Sequence, residues 1–240
     1  MGFSVKPDFV IDSRESLAYA ARTFGILPFF PNNIPGLSVE EMCAPGLLFG
    51  GNYEEGCWEW KGPVVRKRES AYGKFFRKKA GFVSLELLPD FLNYRRSVYP
   101  LKDGDYTELL LDIIRENDSL SSTELKRLIF GNKKKRDRFD IPEYNEFPTL
   151  SGKGKSLESP LQRLQMGGWI IISDFEYNMT KRGERYGWGV ARYSTPEYIF
   201  KDIIDWDIKR NPTESLYHII SYVQKFWKSA SKKDLEKLLK

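Results

Sequence analysis

Apolar residues recur at helical spacing in two consecutive segments near the middle of the chain. The first segment, Asp105 to Asn117, places an apolar face on a predicted helix. Ser121 and Glu124 then form a capping box, which satisfies free backbone N–H groups at the start of a second helix. Gly131 ends that helix, because glycine tolerates the left-handed conformation after a helix end. The two segments predict a helix-turn-helix pair. Its inward-facing residues are Leu109, Leu110, Ile113, Ile114, Leu125, Leu128 and Ile129.

A third helix and a β-hairpin are predicted after this pair. Ser159 caps a helix whose first position is Pro160, a favoured residue there. Trp169 to Phe175 and Gly187 to Tyr193 are rich in β-branched and aromatic residues, so we expect them to pair as strands. Basic residues lie at the tip between them. Three helices followed by such a hairpin is the winged-helix order, in which one helix enters the major groove and the wing contacts the DNA backbone.

The regions on either side mix helices, turns and one short strand. A helix is predicted over residues 13–24. Cys57 to Lys61 has the period-two pattern of a strand, because Trp58 and Trp60 fall on one face and Glu59 on the other. After Pro196, helical segments are predicted over residues 196–206, 213–227 and 231–240, the last opened by the capping pair Ser231 and Asp234.

These elements predict an α+β, mainly helical fold, a tandem winged helix-turn-helix with C-terminal helices. Residues 1–104 form an N-terminal α+β region that could be a degenerate winged helix. Residues 105–195 form the winged helix, with a long insertion at 132–155 that is polar, basic and interrupted by proline and glycine. Residues 196–240 are expected to pack as helices on the winged helix.

Composition narrows the class of protein. The chain has 240 residues, 41% of them hydrophobic, so it can form a sizeable core. It has only two cysteines, and we find neither a signal-peptide pattern nor an apolar run of about 20 residues, so we expect a cytoplasmic protein with no membrane contact. The oligomeric state stays open at this point, with a monomer slightly favoured. With one histidine, His218, and no Cys/His cluster, we expect no metal and no cofactor.

Positive charge favours nucleic acid as the partner. The net charge is +5 and the sequence pI is near 9.0, and the basic residues concentrate in two stretches and at the hairpin tip. Lysine and arginine displace the counterions condensed on phosphates, so these residues are candidates for DNA contacts. The candidates are Lys74, Arg77, Lys78, Lys79, Arg95, Arg96, Lys133, Lys134, Lys135, Arg136, Lys181, Arg182 and Arg185.

Several stretches resemble one family. SPLQRLQMGGWIIISDFE and VARYSTPE, within residues 159–197, resemble the third helix, wing and exit of the AlkZ-like winged-helix DNA glycosylases. LLDIIRENDSLSSTEL and KKAGFVSLELLPDFLNYRR are similar to preceding parts of that family. The resemblance covers most of residues 75–200. It implies a bacterial DNA-repair protein of tandem winged helices that hydrolyses the N-glycosidic bond of alkylated purines.

The family's catalytic signature is missing. That signature is a Gln-x-Asp or Gln-x-Gln element after a Leu-Gly-Leu-like turn, which Gly25-Ile26-Leu27 resembles. Pro28 and Phe30 occupy the two polar positions, and neither can orient water or stabilise an oxocarbenium-like centre. We therefore favour a DNA-binding protein without the family's base-excision chemistry. Two alternatives stay open, a glycosylase that uses another carboxylate, Glu40 or Glu59, and a transcriptional regulator or protein-interaction module.

Overall fold

The computed structural model describes residues 9–50, 56–101, 106–130 and 157–240. Its N-terminal elements are α1 (Arg14–Thr23), β1 (Ile26–Pro28), α2 (Val39–Met42), α3 (Cys57–Arg66), β2 (Ser70–Phe76), β3 (Lys79–Ser84) and α4 (Leu88–Val98). The elements after them are α5 (Tyr106–Glu116), β4 (Leu120–Ser121), α6 (Ser122–Phe130), α7 (Glu158–Met166), β5 (Ile171–Met179), β6 (Arg185–Ser194), α8 (Pro196–Ile199), α9 (Pro212–Gln224) and α10 (Lys232–Leu239).

The described elements repeat one order. The first half, from α1 to β3, and the second half, from α5 to β6, both run helix, strand, helix, helix, strand, strand. Each half also has a three-stranded antiparallel sheet in which the last strand lies in the middle, β1-β3-β2 and β4-β6-β5. The molecule is therefore a mixed helix and sheet protein with two topologically equivalent halves.

The two halves interlock through their third helices and their hairpins. Helix α3 of the first half packs against β5 of the second, and α7 of the second half packs against β2 of the first. Strands β2 and β5 meet between them, where the rings of Tyr72 and Phe175 lie 6.0 Å apart. The backbone N–H of Lys74 donates to Oε1 of buried Gln165 at 3.0 Å. Each hairpin thus covers the third helix of the other half.

Two apolar cores hold this arrangement. The smaller core joins α5, α6 and α7 and includes Ile114, Leu125 and Leu164. The larger core joins the first half to α4, α9 and α10, with Phe91 and Trp227 among its buried rings. Each Å² of apolar surface that is buried stabilises the folded state by about 25 cal/mol, so the two cores are the main source of stability.

Several elements agree with the sequence prediction. The helix predicted over residues 13–24 is α1, and Ser121 and Glu124 exchange the predicted hydrogen bonds before α6. Ser231 caps α10 as expected. The predicted hairpin is present as β5 and β6, although both strands are longer than predicted. Gly131, Asp105 and the predicted insertion at 132–155 lie outside the described residues.

The strand predicted over Cys57 to Lys61 is wrong, because this segment is the first turn of α3. Cys57, Lys61 and Val64 are buried and lie about one helical turn apart. Three buried residues follow this helical spacing, whereas the strand pattern rests on two tryptophans. The alternation covers too few residues to distinguish a strand from a helix.

Smaller corrections concern the ends of helices. Helix α7 begins at Glu158 with Leu157 at the cap position, so Ser159 is not its cap and Pro160 lies within its first turn. Leu128 is exposed and does not face the core. The helix predicted over residues 196–206 is only the single turn α8, which is capped by Thr195.

The C-terminal helices pack elsewhere than expected. Helix α9 lies mainly against α4 of the N-terminal region, not on the second half. The buried Asp90 carboxylate on α4 joins the two helices, since it contacts Arg210 at 3.0 Å and Nδ1 of His218 at 2.7 Å. The expectation that residues 196–240 pack on the winged helix is therefore corrected, and His218 acts as a structural partner of Asp90.

Candidate nucleic-acid interface and its cleft

The turn before β1 is tightly packed. Gly25 has φ +80, a conformation that favours glycine, and a Cβ at this position would lie 2.7 Å from atoms of both Leu87 and Tyr222. Pro28, which pairs with Gly81 of β3, is buried. Phe30 is partly buried and its ring lies 6.1 Å from that of Trp58. The two positions that the family motif fills with polar side chains therefore form part of an apolar surface.

Trp58 of α3 is the centre of an aromatic cluster. Its ring meets Phe29 edge to face at 5.4 Å and lies 5.9 Å from Phe49. From the second half, Trp188 of β6 meets it edge to face at 5.7 Å. Trp188 is 69% exposed, the highest fraction among the large apolar side chains described. The cluster therefore runs from the core beside β1 out to the surface of the hairpin.

A buried lysine lies beneath this cluster. The Lys61 side chain is 5% exposed, and its Nζ lies 3.7 Å from the centre of the Trp58 ring and 4.8 Å from that of Phe175. Nζ also donates to the Trp58 carbonyl at 2.5 Å. Desolvation lowers the pKa of Lys61 to about 8, and the nearby Arg185 also lowers it, whereas Glu59 opposes the shift. The ring faces stabilise the ammonium through cation–π attraction.

A cleft of about 560 Å³ opens where α1, α3 and the β5–β6 hairpin meet. Inside it, the Glu59 carboxylate accepts a hydrogen bond from Arg185 at 3.0 Å, and the Arg185 guanidinium lies over the ring of Tyr177. The candidate carboxylate Glu59 is therefore in a cleft, with a cation as its partner. The residues that line the cleft are Asp12, Ser13, Arg14, Glu15, Glu59, Trp60, Pro63, Arg66, Tyr177 and Arg185.

The second candidate carboxylate, Glu40, lies on α2 and does not line this cleft. Its backbone N–H donates to the carbonyl of Phe29 at 3.0 Å, which places the start of α2 beside the end of β1. The structure therefore brings Glu59, and not Glu40, together with cations in a cavity.

The hairpin tip presents exposed cations. Lys181 and Arg182 lie in the turn between β5 and β6, and both side chains are exposed. The Thr180 hydroxyl accepts hydrogen bonds from the backbone N–H groups of Arg182 and Glu184, and Gly183 has the left-handed conformation that closes the turn. Arg185 begins β6 and turns into the cleft, so only part of the predicted basic tip faces solvent.

A second group of predicted cations lies on the turn between β2 and β3. Arg77, Lys78 and Lys79 are exposed there, and the first two have positive φ. Lys74 is partly buried, with Glu158 at 3.9 Å. The Arg96 guanidinium already has partners within the protein, since it forms an ion pair with Glu197 at 2.6 Å and lies over the ring of Trp169. Lys133, Lys134, Lys135 and Arg136 fall outside the described residues.

The prediction that Arg95 contacts nucleic acid is corrected, because its side chain is 0% exposed. Its Nε donates to the carbonyl of Met166 at 2.6 Å, and its Nη1 donates to the carbonyl of Leu239. Leu88, Phe91 and Leu92 lie on the same face of α4 and are also buried. Helical spacing from these residues is the sequence signal that could have placed Arg95 inside.

The third helices, α3 and α7, expose few of their residues. Among the residues of α3 only Arg66 is exposed, and among those of α7 only Glu158 and Ser159 are exposed. The opposite hairpin lies against each of them. Most of the surface of each third helix is therefore covered by protein, and the hairpin turns are more exposed than either helix.

The structure is that of a mixed helix and sheet protein with two equivalent halves, each ending in a hairpin with a basic turn. Comparison with known proteins gives its family. The family described as AlkZ related matches residues 11–240, and the chain belongs to that family. Among solved structures, the chain is similar to the Streptomyces sahachiroi DNA glycosylase AlkZ, with 16% identity and a TM-score of 0.42. That match covers 96% of this chain and 65% of the other, so the chain spans about two thirds of that protein's length. No curated protein matches.

No described helix combines the length and the apolar character needed to cross a membrane. No group of three or more His, Cys, Asp or Glu side chains within the described ranges could hold a metal ion.

Proposed function

We propose that this protein binds DNA as a tandem winged-helix member of the AlkZ-related family. We also propose that it does not excise bases with residues at the positions of the family's catalytic motif. The repeated order of elements and the repeated sheet order support two winged helices, one in each half. Membership of a family whose namesake is a DNA glycosylase supports DNA as the partner.

The observation that carries DNA binding is the solvent-facing surface of the β5–β6 hairpin. Exposed cations and exposed aromatic rings lie on this one element, with Lys181 and Arg182 at the turn and Tyr186 and Trp188 on the strand beside it. Cations that contact phosphates and rings that stack on bases are the combination that single-stranded or locally opened nucleic acid requires.

The absence of base excision is inferred from Pro28 and Phe30. Hydrolysis of an N-glycosidic bond requires a group that orients water or stabilises positive charge on the sugar. A pyrrolidine ring and a phenyl ring supply neither, and the residues around them are apolar. We therefore propose that the scaffold recognises DNA without this chemistry.

The test of DNA binding is the salt dependence of affinity for a fluorescent duplex and for the same duplex with an unpaired base. Wild-type affinity is expected to fall steeply with salt, and the double variant Lys181→Ala with Arg182→Ala should reduce the slope by about 1 for each phosphate that these side chains neutralise. Lys201→Ala with Lys209→Ala removes two exposed charges elsewhere and is the matched control. Binding that is absent or independent of salt would overturn the proposal.

A second candidate function is base excision that uses Glu59, and the cleft favours it over Glu40. The carboxylate lies in a cavity of about 560 Å³ that is also lined by a tyrosine and three arginines. Alkylated duplex DNA, incubated with excess protein and then cleaved by alkali at abasic sites, tests this function. Strand cleavage that Glu59→Gln abolishes would establish it and refute the non-catalytic proposal. If the folded wild-type protein produces no strand cleavage, this result supports the non-catalytic proposal.

A further inference from the structure

A second basic surface lies away from the β5–β6 hairpin, in a groove of about 790 Å³ between α10 and the β2–β3 turn. Its cations come from two elements far apart in sequence, Arg77 and Lys78 on the turn and Lys233, Lys237 and Lys240 on or after α10. Glu236 is the one acidic side chain in its lining. We call this surface the α10 groove.

The α10 lysines have regular spacing. Positions 233, 237 and 240 are separated by four and three residues, so Lys233 and Lys237 share one face of α10, Lys240 directly follows its last residue, and the three extend over about 10 Å. All three side chains are exposed, and none makes an ion pair within 4 Å with a described residue. Along one strand of a DNA duplex, successive phosphates are about 3.4 Å apart in the direction of the helix axis. The row of three lysines therefore matches about three consecutive phosphates.

The turn on the opposite wall is held in place by buried atoms. Arg77 and Lys78 both have left-handed backbone conformations. The backbone N–H of Lys78 donates to Sδ of Met166 at 3.1 Å, and Met166 is buried. The turn therefore directs its two side chains from a backbone that is fixed against the end of α7.

The buried Arg95 guanidinium lies behind this groove. It donates to the Met166 carbonyl and lies 4.6 Å from the ring of Tyr99, and both of these residues line the groove. Its partners among the described residues are carbonyls, a sulfur and the Tyr99 side chain, and no described carboxylate forms an ion pair with it. Burial lowers the pKa of Arg95 to about 10, so the group still carries its positive charge at neutral pH.

We infer that the α10 groove is a second DNA-binding site that holds the phosphate backbone of a duplex, in addition to the β5–β6 hairpin. A buried cation without a carboxylate makes the potential of the groove more positive, and the low dielectric around it weakens the screening of that charge by water. The five cations at the surface then provide direct contacts to phosphate oxygens. This inference rests on the proposed DNA binding and extends the contact surface to the C-terminal helix.

The experiment compares two triple variants that each remove three exposed lysines. The groove variant is Lys233→Gln, Lys237→Gln and Lys240→Gln, and the control variant is Lys201→Gln, Lys209→Gln and Lys228→Gln. Affinity for a fluorescent duplex is measured by anisotropy across a series of salt concentrations. For the groove variant, we expect the slope of log K against log salt to be smaller by about 0.9 for each phosphate that the lysines contact, about 2 to 3 in total. The control variant is expected to keep the wild-type slope.

A second readout locates the contact directly. An amine-reactive reagent, followed by mass spectrometry, should label Lys233 and Lys237 less when duplex is present, and should label Lys201 and Lys228 equally with and without duplex. Equal slopes for the groove and control variants, with no protection of the α10 lysines, would overturn the groove while leaving hairpin binding intact. Wild-type protein that binds no duplex would overturn both proposals. A groove variant that weakens binding while the hairpin variant does not would support the groove alone.

Discussion

The indole rings of Trp58 and Trp188 meet edge to face at 5.7 Å, although one residue belongs to the third helix of the first half and the other to the hairpin of the second. Trp58 is partly buried among phenylalanines, whereas Trp188 has most of its surface in solvent. The pair therefore connects the apolar environment of β1 to the surface at which we propose DNA binds.

Trp188→Ala should weaken DNA binding much more than it weakens folding. Stacking of one base on an aromatic ring contributes about 1–3 kcal/mol, so we expect affinity for a duplex with an unpaired base to fall about 5- to 150-fold. Because Trp188 is largely exposed, the free energy of unfolding should fall by less than about 1 kcal/mol. Anisotropy titration and urea unfolding measure the two effects. Tyr217→Ala, which removes an exposed ring on α9, is the control, and an equal reduction of affinity in both variants would contradict the prediction.

The pH dependence of stability should report on Lys61. Its pKa is lowered from the ordinary value of 10.5 to about 8, so the unfolded chain binds more protons than the folded protein between these two values. Stability therefore rises as the pH increases from about 8 to 10.5, and the protonated lysine destabilises the fold below that window. The gain is at most about 3 kcal/mol, and the ring faces of Trp58 and Phe175 reduce it.

Lys61→Met isolates this effect because it keeps the apolar stem and removes the titrating group. Urea unfolding of both proteins at several values of pH should show the wild type gaining stability relative to the variant as the pH rises through the window. Two parallel curves would show that the Lys61 ammonium is as well stabilised in the fold as in water.

Gly25→Ala should be far more destabilising than Gly183→Ala. The two glycines have nearly the same backbone angle, φ +80 and φ +82, but only the first has neighbours where a Cβ would be placed. We expect a decrease in stability of about 1 kcal/mol at Gly183 from backbone strain alone, and about 2–4 kcal/mol at Gly25, where Leu87 and Tyr222 must also move. Thermal unfolding of the two variants measures the difference, and similar decreases would mean that the packing around β1 relaxes easily.

Arg185→Ala should destabilise the protein more than Arg182→Ala, although both residues belong to the predicted basic tip. Without Arg185, the Glu59 carboxylate, whose side chain is 14% exposed, has no cation from the hairpin inside the cleft. The expected decrease is about 1–3 kcal/mol in the free energy of unfolding, against about 0.5 kcal/mol or less for exposed Arg182. Adding Glu59→Gln to Arg185→Ala should restore part of the stability. No restoration would mean that the stacking of Arg185 on Tyr177 accounts for the effect.

Local signals in the sequence predict the elements, while the contacts between distant elements could not be predicted. Ser13, Ser121 and Ser231 cap helices through groups within three residues, so the sequence contains all the partners. The packing of α9 against α4 depends on Asp90 and His218, which are 128 residues apart, and no periodic pattern connects them. The strand predicted at Cys57 is wrong because so short a segment does not define a period.

The proposed site is predictable in part for the same reason. Lys181, Arg182, Arg77 and Lys78 lie in turns, and charged residues in turns are usually exposed. Arg95 is also predicted to contact DNA because it is basic, but it lies on the buried face of α4 and is a structural residue. The face formed by Lys233, Lys237 and Lys240 could not be predicted, because its partner wall comes from a turn about 150 residues earlier in the chain.

The interlocking of the halves limits how this protein can evolve. Each third helix serves as an interior surface for the hairpin of the other half, so a substitution at a buried position of α3 or α7 acts first on stability. Changes in surface charge are therefore most accessible at the β5–β6 turn, where Lys181 and Arg182 are exposed and a Cβ at Gly183 would meet no atom within 4 Å, whereas the β2–β3 turn is fixed against buried Met166. One half alone would leave its third helix without the hairpin that covers it, so we expect the two halves to fold as one cooperative unit.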